Sequence, residues 1–181
     1  MDESESVTQT QIQSYTDTTS DVRTRTYTWS DPAATLPKVM GRSGLEVLQA
    51  MAAGELPFPP ITATLDFASF DVEDGRVVVT LQPQEFHYNP IGTVHGGVVA
   101  TLLDTAAACA VHSTLPAGVG YTSLDLTTKF LRPVTIESGL VRCEGRVVHR
   151  GSRTALAEAS LTDRSGRLLA TATSSCMIFG G

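Results

Sequence analysis

At 181 residues the chain is long enough for one domain with a sizeable core and short for two. Hydrophobic residues make up 41% and charged residues 18%, which is globular composition. A net charge of −6 argues against nucleic-acid binding through phosphate contacts, and no uncharged apolar run of about 18 residues suggests a membrane span.

The first 13 residues, MDESESVTQTQIQ, have neither a basic n-region nor an apolar h-region, so no secretory signal is expected. Residues 1–20 hold nine Ser or Thr and only Val7, Ile12 and Tyr15 as sizeable apolar groups. Such a segment buries too little surface to offset ordering entropy, so 1–22 reads as a flexible polar tail and 23–181 as a single domain. Between them, RTRTYTWSDPAA (23–34) alternates Tyr27 and Trp29 with Thr and Ser, and reads either as an arm pinned on the domain by its aromatics or as a loosely held extended arm.

Ser43 followed by Glu46 makes a capping box, and Leu45, Leu48 and Met51 recur at helical spacing until Gly54. A short helix at about 43–54 is therefore expected, running into the Pro-rich loop 57–60. Ile61, Ala63, Leu65 and Phe67 alternate with smaller or polar residues and predict a strand. Asp74-Gly75 predicts a hairpin turn, and Val77, Val79 and Leu81 alternate on its return strand.

The stretch NPIGTVHGGVVATLLDTAAACAVHSTLPAG spans residues 89–118. Residues 96–114 read as the one long helix, apolar nearly all round, ended by Pro116 and Gly118. Its alanines at 100, 106, 107, 108 and 110 would let a curved sheet close around it. Four strand patterns follow. Leu124–Phe130 alternates, as do Val141–Val147 and Ala155–Leu161, and the last runs from Leu168 to Phe179. The fold class expected is α+β, an antiparallel sheet wrapped round one central helix.

Asn89, His95, Gly96, Gly97 and Asp104 lie close together in sequence, with a carboxylate among small apolar residues. The string N-P-I-G-T-V-H-G-G, then six residues, then D, resembles the hotdog-fold acyl-CoA thioesterases of the phenylacetyl-CoA and 4-hydroxybenzoyl-CoA type. The phenylacetate branch, with Asp on the helix, is the nearer match. The resemblance spans residues 60–179 and implies hydrolysis of an acyl-CoA, aromatic or medium-chain, without a cofactor. It implies that Gly96 polarises the thioester carbonyl through its amide and that Asn89 helps hold the carbonyl or the water. Asp104 would be general base or nucleophile, and His95 would orient the loop or assist the leaving thiolate. Gly97 joins Gly96 at the helix start, where unpaired N–H groups and the dipole favour an oxyanion.

Ser123 matches a water-orienting serine of the family, with Thr122 taking its place if the register shifts by one. The turn HRGSR (149–153) resembles one that meets CoA phosphates, making Arg150, Gly151, Ser152 and Arg153 candidates, with Arg132 a further cation. Self-association into dimers and dimers of dimers is expected, with the carboxylate supplied across the dimer. A hotdog hydratase or dehydratase, or a non-catalytic acyl-CoA-binding protein, is the alternative. Cys109, Cys143 and Cys176 each fall in an apolar run and read as buried, reduced thiols, as expected in the cytoplasm. His87, His112 and His149 lack metal-ligand spacing, and no metal is expected. Phe86, His87 and Tyr88 either line the acyl pocket or pack under the loop.

Overall fold

The structure, a computed structural model, describes residues 22–180. The polar tail expected at 1–22 therefore lies, but for Val22, outside the described residues. Among the described residues, four α-helices, α1 (Leu36–Val39), α2 (Gly44–Ala52), α3 (Pro60–Leu65) and α4 (Gly96–Ser113), accompany seven strands. These are β1 (Phe67–Glu73), β2 (Arg76–Leu81), β3 (Gly120–Ser123), β4 (Thr127–Phe130), β5 (Val141–Arg150), β6 (Thr154–Thr162) and β7 (Leu168–Phe179).

The strands form one antiparallel sheet in the order β1-β2-β5-β6-β7-β3, with β4 also paired to β7. The sheet curls around α4, giving the hotdog arrangement the sequence implies. Alternation sets which side faces inward. In β6, Ala155, Ala157, Ala159 and Leu161 are buried, while Leu156 and Glu158 face out. Val77, Val79, Leu81, Val141 and Cys143 close the core against Leu103, Ala106, Ala107 and Val111 of α4. The helix comes close enough that a Cβ on Gly145 of β5 would lie 2.1 Å from the Ala106 carbonyl oxygen. Small residues on both elements are thus what this packing demands.

The helix at 43–54 is found as α2, with both arms of the Ser43–Glu46 capping box made. Asp74-Gly75 is the two-residue turn between β1 and β2, where Glu73 pairs with Arg76 and Gly75 takes φ +73°. Three expectations need correction.

Residues 60–65 are helical, not extended. Pro60 sits in the first turn, and the Thr62 and Thr64 hydroxyls donate to the Pro59 and Pro60 carbonyls at 2.8 and 3.1 Å. Those local bonds outweigh the alternation, and the strand starts only at Phe67, after Asp66 in the left-handed conformation.

The strand expected at 124–130 covers only Thr127–Phe130, and a separate strand, β3, precedes it at Gly120–Ser123. Asp125 Oδ1 accepts from Ser175 N at 3.0 Å, and the Asp125 carbonyl accepts from Ser174 Oγ at 2.8 Å. A side chain takes the donor that a continuous ladder would use, so β3 ends at Ser123 opposite Cys176 and β4 restarts at Thr127 opposite Thr173, three residues further along β7.

Helix α4 is not buried all round. Leu102 and Leu103 are fully buried, but Ala100, Thr101, Asp104 and Thr105 are half-buried and Gly97 is exposed. The curl stops at β3 and β4, leaving that flank of the helix uncovered.

Candidate active site

The loop before α4 is built around Asn89. Its Oδ1 accepts from Ile91 N at 3.1 Å and Thr93 N at 3.2 Å, and its Nδ2 donates to Thr93 Oγ1 at 2.9 Å. Asn89 N donates to the Thr93 carbonyl at 2.8 Å, closing the turn. Asn89 therefore shapes the loop directly, with part of its amide committed to that task.

His95 caps α4: its Nδ1 accepts from Gly97 N at 2.8 Å. With a lone pair on Nδ1, a neutral ring carries its proton on Nε2. A Cβ on Gly97 would lie 3.0 Å from that Nδ1, so glycine is what lets the ring close over the helix end. Gly97 N–H is thereby taken. Gly96 N–H makes no hydrogen bond within the described residues, and Gly96 lines a groove of about 370 Å³. Asn89, Val99, Phe130 and Arg132 line the same groove. Phe130 sets its floor beside Gly96, where a Cβ would stand 3.3 Å from Phe130 Cζ.

Asp104 lies two turns along α4. Ser123 Oγ donates to Asp104 Oδ1 at 3.2 Å, whereas the exposed Thr122 hydroxyl contacts only the Ser123 carbonyl at 3.4 Å. The register thus selects Ser123, which pairs with Cys176 on the helix-facing side. Asp104 and Ser123 line a second open groove of about 370 Å³ with Ala100, Thr101, Leu124, Asp125 and Leu126. The two grooves share no lining residue. Gly96 and Asp104 are eight residues apart, about 12 Å along the helix.

Arg150 and Arg153 flank the β5–β6 turn, are exposed, and form no ion pair within the described residues. Gly151 N donates to the Thr154 carbonyl at 2.8 Å, and Ser152 is exposed at the tip. Register links this turn to the carboxylate: Arg150 pairs with Ala155, Ala155 with Cys176 and Cys176 with Ser123. That is three strand spacings, about 14 Å.

Arg132, the further cation of the sequence, shares a groove with Gly96, and its Nη1 donates to the Leu168 carbonyl at 2.6 Å. Phe130 ends a strand pattern in the sequence and lines the same groove. Its signal was the FLRP run, where Phe130 and Leu131 stay exposed just before Pro133. Of the aromatic trio, His87 packs under the loop, 1% exposed, with Nδ1 accepting from Gln84 N at 3.0 Å. Tyr88 accepts from Ile136 N through its hydroxyl.

Cys143 and Cys176 are buried and Cys109 half-buried in free form. Burial pushes the Cys109 and Cys143 thiols up to about 12, which makes them poor nucleophiles. No cluster of three or more metal-ligating side chains occurs among the described residues.

A chain with this site can be set beside known proteins. The thioesterase superfamily model matches residues 91–170. Human acyl-coenzyme A thioesterase 13 is 29% identical over 132 residues, covering 72% of this chain and 91% of that protein. The 1,4-dihydroxy-2-naphthoyl-CoA hydrolase of Listeria monocytogenes is 29% identical over 106 residues, 59% of this chain and 85% of that one. A solved phenylacetic acid degradation-related protein of Ralstonia eutropha is 32% identical, with a TM-score of 0.65 over 72% of this chain and 98% of its own. The chain belongs to the thioesterase superfamily and is, with it, a thioester hydrolase of the hotdog fold.

Proposed function

We propose that the chain hydrolyses an acyl-CoA, aromatic or medium-chain, to the free acid and CoA at a site made by two copies of itself. The observation that carries this reading is the separation of the two grooves. Gly96, with its unpaired N–H, lies in one, and the hydrogen-bonded Asp104–Ser123 pair lies in the other. One thioester carbon cannot touch both within one chain, but it can between two.

The uncovered flank of α4 and the exposed Ile91, Leu124 and Phe130 around the grooves are the surfaces such a partner would bury. Gly96 N–H would then hold the developing oxyanion at the positive end of α4. Asp104 of the other copy would take a proton from water, or attack the carbonyl itself to give a mixed anhydride. Ser123 would orient the water or the carboxylate, collapse of the tetrahedral intermediate would expel the CoA thiolate, and on the second route water would then cleave the anhydride to free acid and Asp104 carboxylate. Arg132, Arg150 and Arg153 would meet the CoA phosphates. The aromatic or medium-chain choice rests on the relatives named and on the apolar lining from Val94, Val99, Phe130 and Val134. Dimers of dimers and a cytoplasmic setting, where the three free thiols stay reduced, belong to the same proposal.

The test is a panel of aryl and straight-chain acyl-CoAs with free thiol followed by a thiol reagent. Thiol release with kcat/KM highest for aryl or medium-chain groups is expected. Hydration of an enoyl-CoA without thiol release would favour a hydratase, and binding without turnover would favour a carrier.

A further inference from the structure

Arg25 holds the N-terminal arm on the domain through its guanidinium. Arg25 Nη2 donates to the Ala63 carbonyl at 2.6 Å and Nη1 to the Thr64 carbonyl at 2.7 Å. Its guanidinium lies 4.2 Å from the centre of the Phe86 ring and 4.8 Å from that of Tyr27. Beside it, Arg23 pairs with Glu85 at 3.2 Å. Trp29, by contrast, is exposed.

The next carbonyl in line, that of Leu65, pairs with His87 Nε2 at 2.9 Å. Because His87 Nδ1 accepts from Gln84 N, Nε2 carries the proton and donates. Three successive carbonyls at the end of α3 are thus taken by Arg25, Arg25 and His87. The His87 carbonyl in turn accepts from His95 N at 2.7 Å, and His95 is the cap of α4 next to Gly96. A continuous set of hydrogen bonds therefore runs from the arm through α3 and His87 to the helix start.

We propose that Arg25 and His87 form one clamp that positions the His95–Gly96 turn, so that the N-terminal arm is a positioning element for the oxyanion donor. Neither residue touches the grooves described above. The clamp deepens the proposed hydrolysis and rests on Gly96 serving as its amide donor. The end of α3 is a good place to hold. The Ala63 carbonyl otherwise meets only the Asp66 N–H at a long 3.4 Å, and a cation at this end is favoured by the dipole. The clamp also requires an unprotonated Nδ1 on His87. Burial lowers the His87 pKa and the Arg25 charge lowers it further, against the Leu65 hydrogen bond and Asp66, which raise it. Glu85 on the same turn is bridged to Arg23, and His95 reaches His87 through its backbone N–H.

The test uses the full chain with Arg25→Ala, Arg25→Lys and His87→Asn, read by steady-state kinetics and by amide exchange. Arg25→Ala should lower kcat on acyl-CoA on the order of 10-fold or more, with KM within about twofold, as expected of a displaced donor. Exchange should quicken in the 93–99 segment as well as in 60–66. Arg25→Lys keeps the charge without the two-carbonyl fork and should fall between. The Arg25→Ala, His87→Asn double variant should be no worse than the poorer single one, because both break the same clamp. The acid limb of activity should also move to higher pH in Arg25→Ala, since loss of that charge makes His87 easier to protonate.

Quickened exchange at 60–66 alone, with kcat and 93–99 unchanged, would overturn the clamp and leave Arg25 as a cap for α3. Fully additive losses in the double variant would overturn it too. If the unaltered protein releases thiol from no acyl-CoA, the hydrolysis reading fails, while exchange at 93–99 still decides the clamp. Should Arg25→Ala fail to fold, Arg25→Lys gives the same readouts.

Discussion

Ser123 reaches from β3 to the middle of α4 and donates its hydroxyl to Asp104 at 3.2 Å. The bond fixes one oxygen of a carboxylate on a helix flank that the sheet leaves open, and Oδ2 makes no hydrogen bond within the described residues. Asp104→Asn should lower kcat by at least about 100-fold with folding and substrate binding intact. Ser123→Ala should cost less, roughly 10-fold, because it disturbs the orientation of the carboxylate and not its presence. Kinetics and melting temperature on both variants check this. Near-normal turnover in Asp104→Asn would remove the carboxylate from the chemistry.

His95 has a structural task, so its chemical task can be separated. Asn is also a good helix N-cap, and its Oδ1 can accept the Gly97 N–H that Nδ1 now holds. His95→Asn should keep the melting temperature close to that of the unaltered chain. A large fall in kcat with the fold intact would assign the ring a part in the reaction; unchanged kcat would leave it as a cap. Gly97→Ala should be the worse-tolerated change, since its Cβ would press on the ring at 3.0 Å.

Arginines that meet the CoA phosphates can be recognised by their dependence on substrate. Arg150→Ala and Arg153→Ala should raise KM for acyl-CoA more than for a truncated acyl-pantetheine thioester, which lacks the nucleotide phosphates. Arg132→Ala should behave the same way if the phosphates lie at the Gly96 groove. Equal effects on both substrates would take that arginine off the phosphates.

The outer face of the sheet carries a separate electrostatic device. Burial alone would raise Glu144, but hydrogen bonds from Arg142, Arg76 and Arg146 outweigh it and hold the carboxyl at about 2. A depressed folded pKa stabilises above the ordinary carboxylate value of 4.5, and that share is lost as pH falls toward about 2. Glu144→Gln should therefore lower the melting temperature by a constant amount between neutral pH and pH ~5, with the gap narrowing in more acid solution. A gap independent of pH down to pH ~3 would mean the arginines do not act through the carboxylate charge.

What could be read from the sequence was whatever is set by period and by caps. β7 runs from Leu168 to Phe179 as its alternation says, and α2 begins at the Ser43 capping box. The element that failed, 60–65, is one where two prolines and two threonines made local bonds that a period-two pattern cannot report. Asp125 broke a strand for the same kind of reason, by using its side chain as a ladder acceptor. At the candidate site, the sequence singled out Asp104, Ser123 and the helix start, and the register sets the hydroxyl of Ser123, not that of Thr122, against Asp104. Phe130, Arg132 and Arg25 were not legible in the same way. The carbonyls that Arg25 and Arg132 hold lie 36 or more residues away in the chain, Phe130 lies on a groove wall, and no local pattern encodes those meetings.

The two-groove geometry makes the strongest demand on an experiment. Asn89→Ala should collapse the turn that its side chain holds with Ile91 and Thr93, and so displace the Gly96 end of the site. Asp104→Asn should disable the other groove and leave the first intact. Each variant alone should be nearly inactive. Co-expressed, they can pair so that one shared site carries both lesions and the other carries neither. Random pairing makes about half the dimers mixed, and each mixed dimer has one good site of two, so about a quarter of the unaltered activity should return. Differently tagged chains, purified through both tags in sequence, would show the mixed dimers directly. Activity confined to that doubly tagged fraction is the expected result. Mixed dimers that form and stay inactive would put Asn89 and Asp104 in the site of one chain, and would end the reading of a site shared between two.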